Sequence, residues 1–274
     1  MKEQDTEAQA KEVLCAVDAN GIATLTLNRV SKHNAFDNRV IQTLLTHLDI
    51  LKSDTRVRGL VLRANGKHFS AGADLNWMRT MAEKSIDENR QDARQLAQLM
   101  HVLDTFPHPT IALVHGSAFG GALGLICCCD IAIASSDALF CLSEVKLGLI
   151  PATICPYVCR AMGVRQARRY MLTAERFDAA TAQQLSLIHI VTDTLSGALG
   201  KQLARLTQTI LANSPNAMTK AKQLCQTCEN KKIDPELRAL TSDLIAEIRV
   251  SEQGQEGLNA FFEKRPPAWS GKHE

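Results

Sequence analysis

The sequence contains no long hydrophobic run. No apolar stretch in its 274 residues approaches the roughly 20 residues that span a bilayer as a helix. The first twelve residues, MKEQDTEAQAKE, lack the apolar core of a secretory signal, and they are too acidic for a mitochondrial presequence. These absences predict a cytoplasmic protein that has no contact with a membrane.

An excess of charge of either sign is also absent. The chain carries 31 basic and 29 acidic side chains, which gives a net charge of +2. A dedicated nucleic-acid binder usually shows its basic face in these totals, so the balance argues against nucleic acid as a partner. It remains compatible with a local basic groove for a phosphate-bearing group.

Signatures of several common catalytic sites are missing. The glycine-containing segments have neither the G-K-S/T ending of a P-loop nor the G-x-G-x-x-G of dinucleotide-binding folds. The chain has no G-x-S-x-G elbow and no H-E-x-x-H motif, and no dense acidic cluster suggests a metal. We therefore expect no metal site.

Cysteine, by contrast, is plentiful, with nine residues. Cys127, Cys128 and Cys129 are consecutive, which is a poor framework for disulfides, and a reducing cytosol keeps thiols free. Cys225 and Cys228 have a C-x-x-C spacing, but no second pair lies nearby to complete a zinc site. These cysteines are predicted to be small residues of the core or of a helix surface.

The order of the apolar patterns indicates an α/β protein. Two β-rich runs, 12–18 and 22–28, flank the turn Asp18-Ala19-Asn20-Gly21 and predict a hairpin. Helical patterns and short apolar runs then alternate, which implies a mostly parallel sheet with helices packed on it. We predict an α/β core over residues 1–192 and a helical C-terminal region over residues 193–274.

Two glycine-containing segments follow predicted strands, FSAGAD at 69–74 and HGSAFGGA at 115–122. In an open α/β sheet, ligands bind beyond the carboxyl ends of the strands, where both segments should lie. A helix that begins at Gly120-Gly121 would present unpaired amides and a partial positive charge to an oxyanion. Alternatively, these glycines only allow a helix to pack closely against a strand.

Glu144 lies in a largely apolar segment, ALFCLSEVKLG at 138–148. Burial of a carboxylate is unfavourable, and it would raise the pKa of this glutamate towards neutrality and suit it to proton transfer. The alternative is an exposed glutamate on an amphipathic strand or turn, paired with Lys146. Asp130 is better explained by capping or a turn, and His115 by a structural hydrogen bond.

Four segments resemble, in order and spacing, the signatures of the enoyl-CoA hydratase/isomerase (crotonase) family. They are FSAGADLNWM at 69–78, HGSAFGGALGLICCCDIAIAS at 115–135, LSEVKLGLIP at 142–151 and FFEKRPPAW at 261–269. The likeness extends over about residues 12–269. It implies a crotonase-like spiral of ββα units with a helical C-terminal region that forms trimers, often paired into hexamers.

The resemblance also implies roles for particular residues. The amides of Ala73 and Gly121 would hold the thioester oxygen of an acyl-CoA, and Glu144 would transfer a proton. The residues that it assigns to CoA binding are Ala71, through its carbonyl, and Asp74, Leu75, Asn76 and Lys264, the last from its own or a neighbouring subunit. Coenzyme A is part of the substrate, so no separate cofactor is implied.

The chain departs from the best-known hydratases of that family at one position. Those enzymes carry one glutamate a single turn into the glycine-rich helix and another on the following segment. Here the first position is Gly124, and only Glu144 remains. A single carboxylate suits the movement of a double bond, whereas hydration requires it both to place water and to supply a proton. A 2,3-enoyl-CoA isomerase and a non-catalytic acyl-CoA-binding protein therefore stay as alternatives to a hydratase.

A narrower resemblance favours hydration. Segments such as GADLNWMR, CLSEVKLGLIPA and SEQGQEGLNAFFEKRPPAW are similar to the bacterial 3-methylglutaconyl-CoA hydratases of leucine breakdown, a subgroup with the same glycine. They are also similar to the related glutaconyl-CoA hydratases of acyclic terpene degradation. This likeness implies hydration of a branched 2-enoyl-CoA, 3-methylglutaconyl-CoA. The second carboxylate of that substrate would need a cationic or hydrogen-bonding partner, for which Arg79, Arg160 and Tyr157 are candidates.

Overall fold

The chain begins with an antiparallel hairpin. The structure is a computed structural model that describes residues 11–194 and 197–270. Strands β1 (Val13–Val17) and β2 (Ile22–Leu27) pair along the whole of β1. The Asp18 carboxylate closes the turn because it accepts hydrogen bonds from the amides of Asn20 and Ile22. The predicted hairpin is confirmed.

A six-stranded sheet forms the centre of the α/β part. Its other strands are β3 (Gly59–Ala64), β4 (Thr110–Val114), β6 (Ile131–Ser135) and β9 (Ile190–Thr192). The strand order is β1-β2-β3-β4-β6-β9, and every pair after the hairpin is parallel. Strand β4 is buried at every residue, because helices cover both faces of the sheet at its centre.

A second sheet, of three short strands, does not follow from the sequence pattern. Strands β5 (Ser117–Phe119) and β7 (Leu139–Cys141) are parallel, and β8 (Phe177–Asp178) is antiparallel to β7. Strands of 2 or 3 residues are too short for an alternating pattern to be recognised. This sheet positions the second glycine-containing segment, because β5 ends directly before Gly120.

Helices surround the two sheets. They are α1 (Asn38–Ser53), α2 (Leu75–Ala82), α3 (Ile86–Asp104), α4 (Gly121–Cys127), α5 (Cys155–Met162), α6 (Val164–Thr173) and α7 (Ala179–Gln184). The helix-forming stretch after residue 75 is divided into α2 and α3, because Ser85 and Glu88 form a capping box at the start of α3.

Helices alone follow β9 within the described residues. They are α8 (Ala198–Leu211), α9 (Pro215–Cys228), α10 (Pro235–Val250) and α11 (Glu252–Phe262). Lys222 of α9 contacts the carboxylate of Asp130, just before β6, at 2.8 Å. Arg58, just before β3, donates to the carbonyls of Leu211, Asn213 and Trp269. These contacts hold the helical region at the amino edge of the sheet.

Strand β9 ends at Thr192 and α8 begins at Ala198. The division of the chain into two regions between residues 192 and 193 stays a prediction, as does the role of the helical region in trimer formation. Over residues 11–194 and 197–270, no helix combines the length and apolar character needed to cross a membrane. The expectation that the chain has no leader concerns residues 1–12, of which 1–10 lie outside the described residues.

Candidate active site

The backbone at Ala73 is held by hydrogen bonds on both sides of that residue. The Phe36 amide donates to the Gly72 carbonyl at 2.9 Å, and the Asp74 amide donates to the Phe36 carbonyl at 3.0 Å. In such a one-residue parallel bridge, the amide of Ala73 itself points away from Phe36. It has no hydrogen-bond acceptor in the described part of the chain, which leaves it available to a ligand.

The second free amide is that of Gly121, the first residue of α4. The preceding Gly120 turns the chain with φ 54°, a left-handed conformation that favours glycine, and its amide donates to Cys141 of β7 at 2.9 Å. The Gly121 amide donates to no acceptor among the described residues. A side-chain carbon on Gly121 would lie 2.6 Å from Cζ of the Phe36 ring.

Ala73, Gly121 and Glu144 line one cavity of about 610 Å³. Its wall is mostly apolar and is built from α2, α3 and the segment before α5. Apart from the Trp77 indole, the polar side chains that line it are those of Asn89, Ser143, Glu144 and Thr153. Among the described residues, no lysine or arginine lines it, and Glu144 is its one acidic group.

Glu144 follows β7 and starts a 3₁₀ turn, Glu144–Leu147. Its Oε1 lies 3.2 Å from the position that a side-chain carbon on Gly120 would occupy. Its Oε2 is buried and has no hydrogen-bond partner in the described part of the chain. Burial raises the pKa of the carboxyl, and no ion pair joins it to Lys146. The alternative of an exposed glutamate paired with Lys146 is therefore wrong.

No side chain fits at Gly124, one turn into α4. A carbon attached to its Cα would lie 2.2 Å from Cγ2 of Ile154 and 3.0 Å from Sδ of Met100. Ile154 lines the cavity and is the residue directly before α5. The position at which the best-known hydratases carry their first glutamate is thus filled by apolar atoms of other segments.

Comparison with known proteins decides the family. The family model described as Enoyl-CoA hydratase/isomerase matches residues 18–272. The chain belongs to the enoyl-CoA hydratase/isomerase family. An enzyme from Escherichia coli named 2,3-dehydroadipyl-CoA hydratase is 33% identical over 253 residues, which are 92% of this chain and 96% of that protein.

Solved structures of the enoyl-CoA hydratase/isomerase family have the same fold. The crystal structure of an enoyl-CoA hydratase from Shewanella pealeana is 54% identical with a TM-score of 0.91, over 95% of this chain and 97% of the other. An enoyl-CoA hydratase/isomerase (crotonase) from Legionella pneumophila is 48% identical with a TM-score of 0.89, over 95% and 99% of the two chains. The predicted crotonase-like α/β fold is confirmed.

Four of the five residues assigned to CoA binding line a second cavity, of about 380 Å³. They are Ala71, Asp74, Leu75 and Asn76. Lys32 and His33, which the sequence analysis did not single out, also line it, and nothing in their spacing distinguishes them from other loop residues. The two cavities are adjacent because they share Ala71, Ala73 and Leu75. The roles of these residues in an enoyl-CoA hydratase/isomerase stay predictions.

Two of the residues assigned to CoA binding do not offer a free side chain to a ligand in their own chain. The Asp74 carboxylate is buried, caps α2 and pairs with Arg29 at 3.0 Å, so its side chain is already occupied. Lys264 follows α11 and lines neither of the two cavities of its own chain. Its approach to CoA, which would then come from a neighbouring subunit, stays a prediction.

The candidates for binding a second substrate carboxylate do not reach the cavity. Arg79, Arg160 and Tyr157 are all absent from its lining, so no contact in the described chain supports that expectation. Arg160 is instead paired with Asp104 and, at 3.5 Å, with Glu229. Its guanidinium lies 5.5 Å from the Tyr157 ring. The charge of Arg160 is therefore already paired with carboxylates on the outer side of α5.

The cysteines lie outside this site. All nine are free thiols. Burial raises the pKa of Cys127 to about 12 and raises the pKa values of Cys128 and Cys129 as well. Within the described ranges, no group of three or more His, Cys, Asp or Glu residues could hold a metal ion. Thiols with such raised pKa values are unreactive packing groups.

Glu144 should make the stability of the protein depend on pH. Burial raises the pKa of its carboxyl above the ordinary value of 4.5, so the folded chain binds that proton more tightly than the unfolded chain. The stabilisation is complete below pH 4.5 and is lost as the pH rises through the raised pKa. We expect Glu144→Gln to raise the Tm at neutral pH, with a gain that shrinks towards acid. Thermal unfolding of both proteins across a pH series tests this, and a gain independent of pH would contradict it.

Proposed function

We propose that this protein is a hydro-lyase that adds water across the 2,3 double bond of an acyl-CoA thioester. The observation that carries the proposal is the shared cavity. In it, a buried carboxylate oxygen of Glu144 accompanies the amides of Ala73 and Gly121, and none of the three has a hydrogen-bond partner among residues 11–194 and 197–270. A cavity with two free donors and one group of raised pKa suits a reaction that creates an oxyanion and moves a proton.

The arrangement supports a two-step reaction in which one carboxylate first accepts a proton and then donates it. Glu144 takes a proton from water as the water oxygen bonds to C3, and the electrons of the double bond move to the thioester oxygen. The Ala73 and Gly121 amides stabilise that charge, and one such donor is typically worth about 3–4 kcal/mol. Protonated Glu144 then delivers its proton to C2, which completes the addition of water. A raised pKa suits this exchange because the same group must accept and release the proton.

A 2,3-enoyl-CoA isomerase is the second candidate. It is favoured by the presence of a single acidic group in the described lining of the cavity and by the apolar filling beside Gly124. Movement of a double bond needs only the transfer of one proton between carbons, for which one carboxylate suffices. A non-catalytic acyl-CoA-binding protein is disfavoured, because such a protein has no need of a buried carboxylate with a raised pKa.

For the substrate, we propose a branched 2-enoyl-CoA with a distal carboxylate, 3-methylglutaconyl-CoA. The relative named 2,3-dehydroadipyl-CoA hydratase supports this class, because the acyl group in its name also carries a second carboxylate. The cavity wall offers the hydroxyls of Ser143 and Thr153, neither of which donates a hydrogen bond within the described chain. The side-chain nitrogen of Asn89 already donates to three carbonyls, so it is less available.

The test is a direct comparison of three substrates. We expect 3-methylglutaconyl-CoA to gain the mass of one water with a kcat/KM at least about tenfold above that of crotonyl-CoA, a difference of about 1.4 kcal/mol. Conversion of a 3-enoyl-CoA without change of mass, and no hydration of either 2-enoyl-CoA, would favour the isomerase. Tight binding without turnover of all three would favour the binding protein.

A further inference from the structure

Arg29 lies just after β2 and contacts three carboxylates at once. Its Nε is 3.1 Å from Glu12, one terminal nitrogen is 3.1 Å from Asp37, and the other is 3.0 Å from Asp74. The nitrogen that contacts Asp74 also donates to the Ala35 carbonyl at 3.0 Å. The side chain of Arg29 is 16% exposed and that of Asp74 is 6% exposed, so solvent screens this pair only weakly.

Two of these carboxylates cap helices. Asp37 accepts hydrogen bonds from the amides of Arg39 and Val40 at the start of α1. Asp74 accepts hydrogen bonds from the second and third residues of the α2 segment, at 2.8 and 3.1 Å. In each case one carboxylate oxygen binds the helix and the other binds Arg29. The guanidinium therefore joins the N-termini of α1 and α2.

The bridge that presents the Ala73 amide lies between these two helices. Phe36 directly precedes Asp37, and Ala73 directly precedes Asp74, so each segment of the bridge is followed at once by a carboxylate bound to Arg29. Phe36 binds both the Asp74 amide and the carbonyl of the Gly72–Ala73 peptide, so a displacement of Asp74 would disturb the bridge that orients the Ala73 amide. The contacts of Arg29 oppose such a displacement.

We propose that Arg29 is a positioning residue that holds the Ala73 amide in the direction required for oxyanion binding. Arg29 lines neither cavity, so it acts through Asp74 and not on the substrate. The consequence for turnover rests on the proposed function, whereas the direction of the amide does not. An arginine is required, because a planar guanidinium offers separate nitrogens to three carboxylates and the single ammonium of lysine does not.

The proposal can be tested with a ligand that reports on the Ala73 amide and is not itself hydrated. Acetoacetyl-CoA has an acidic C2 proton, and its enolate, which carries charge on the thioester oxygen, absorbs in the near ultraviolet. We expect the wild type to bind the enolate well below the pH at which it forms in water. Arg29→Met should lower the enolate affinity about 100-fold, the size of effect that a displacement of about 1 Å can have. The Kd of butyryl-CoA, a saturated thioester, should change less than about threefold.

Arg39→Met is the matched control. Arg39 also binds Glu12 through two hydrogen bonds, but it is largely exposed and does not contact Asp74. We expect this variant to keep the wild-type enolate affinity, kcat and KM. Arg29→Met should lower kcat by about 100-fold with little change in KM, because the amide acts on charge that develops in the transition state. Equal effects of the two substitutions would overturn the proposal.

Two further variants separate positioning from folding. Arg29→Lys keeps the charge, and we expect it to fold with a wild-type circular dichroism spectrum and still lose at least about tenfold in enolate affinity. Asp74→Asn keeps a good helix cap and removes the carboxylate that Arg29 contacts. If Arg29 acts through Asp74, adding Arg29→Met to Asp74→Asn should lower enolate affinity less than about threefold further. Full affinity in Arg29→Lys, or independent losses in the double variant, would overturn the proposal.

The same measurements distinguish this inference from the proposed function. A wild-type protein that binds the enolate but hydrates no 2-enoyl-CoA would refute the hydro-lyase and leave the role of Arg29 supported by the variant series. A wild-type protein that binds butyryl-CoA but shows no preference for the enolate would overturn both, because no oxyanion site would then exist for Arg29 to maintain.

Discussion

Replacement of Glu144 by glutamine is expected to lower kcat by about 1,000-fold, within the range of about 10²–10⁴ typical of general acid–base catalysis. Glutamine has nearly the same shape and still fits beside Gly120, but it neither accepts nor releases the proton that the addition of water requires. The Kd of a substrate or product analogue should change less than about threefold, because the two amides and the cavity wall are intact. Steady-state kinetics and calorimetric titration measure the two quantities separately.

The control for this substitution is Glu236→Gln. Glu236 is an exposed glutamate in the first turn of α10 and lies outside both cavities, so the same chemical change there should leave kcat unaltered. Retention of more than about a tenth of the activity in Glu144→Gln would contradict the role of Glu144 in proton transfer. A parallel loss of activity and of analogue binding would indicate that the substitution acts on the shape of the cavity.

A glutamate placed at Gly124 is expected to damage the protein and not to supply a second acid. Its first side-chain carbon would lie 2.2 Å from Ile154, which must then move into the cavity that it lines. Overpacking of a core typically costs about 1–3 kcal/mol, and the new carboxylate would enter an apolar environment without a partner. We expect a lower Tm and a kcat at least about tenfold below the wild type, because the displaced Ile154 would misplace the substrate.

Smaller substitutions test whether overlap between a side chain at position 124 and Ile154 causes the loss of stability. Gly124→Ala should already lower the Tm, and Ile154→Ala, which removes Cγ2, should relieve part of that effect when the two are combined. The matched control is Gly200→Ala in α8, where a side-chain carbon would contact nothing within 4 Å. That change should stabilise the protein by about 0.5–1 kcal/mol through helix propensity. Strictly additive losses at Gly124 and Ile154 would contradict the steric explanation.

The parts of the site that the sequence predicts are those carried by local patterns. The glycine-containing segments after strands and the carboxylate in an apolar segment are visible within about ten neighbouring residues, but the pattern leaves close packing and an exposed glutamate open. The roles of Ala73, Gly121 and Glu144 come from the family resemblance of those segments. The hairpin and the parallel order of the central strands follow from hydrophobic pattern for the same reason. The structure places these three residues around one cavity, as the resemblance implies.

The parts that the sequence does not predict depend on contacts between distant segments. The separation between Arg160 and its partners Asp104 and Glu229 is 56 and 69 residues, so nothing local reveals that its charge is already used. The filling of the space beside Gly124 by Ile154 also joins separate segments, Gly124 in α4 and Ile154 just before α5. A periodicity argument assigns residues to helix faces but does not say which segment packs on each face.

Phe36 connects the two halves of the site. Its backbone binds the chain on both sides of Ala73, and its ring occupies the place where a side chain on Gly121 would be. The spacing between the Ala73 and Gly121 amides is therefore governed by the bulk of one aromatic ring in the loop before α1. A smaller side chain at position 36 would remove the atoms that face Gly121 while both glycine-containing segments keep their sequences.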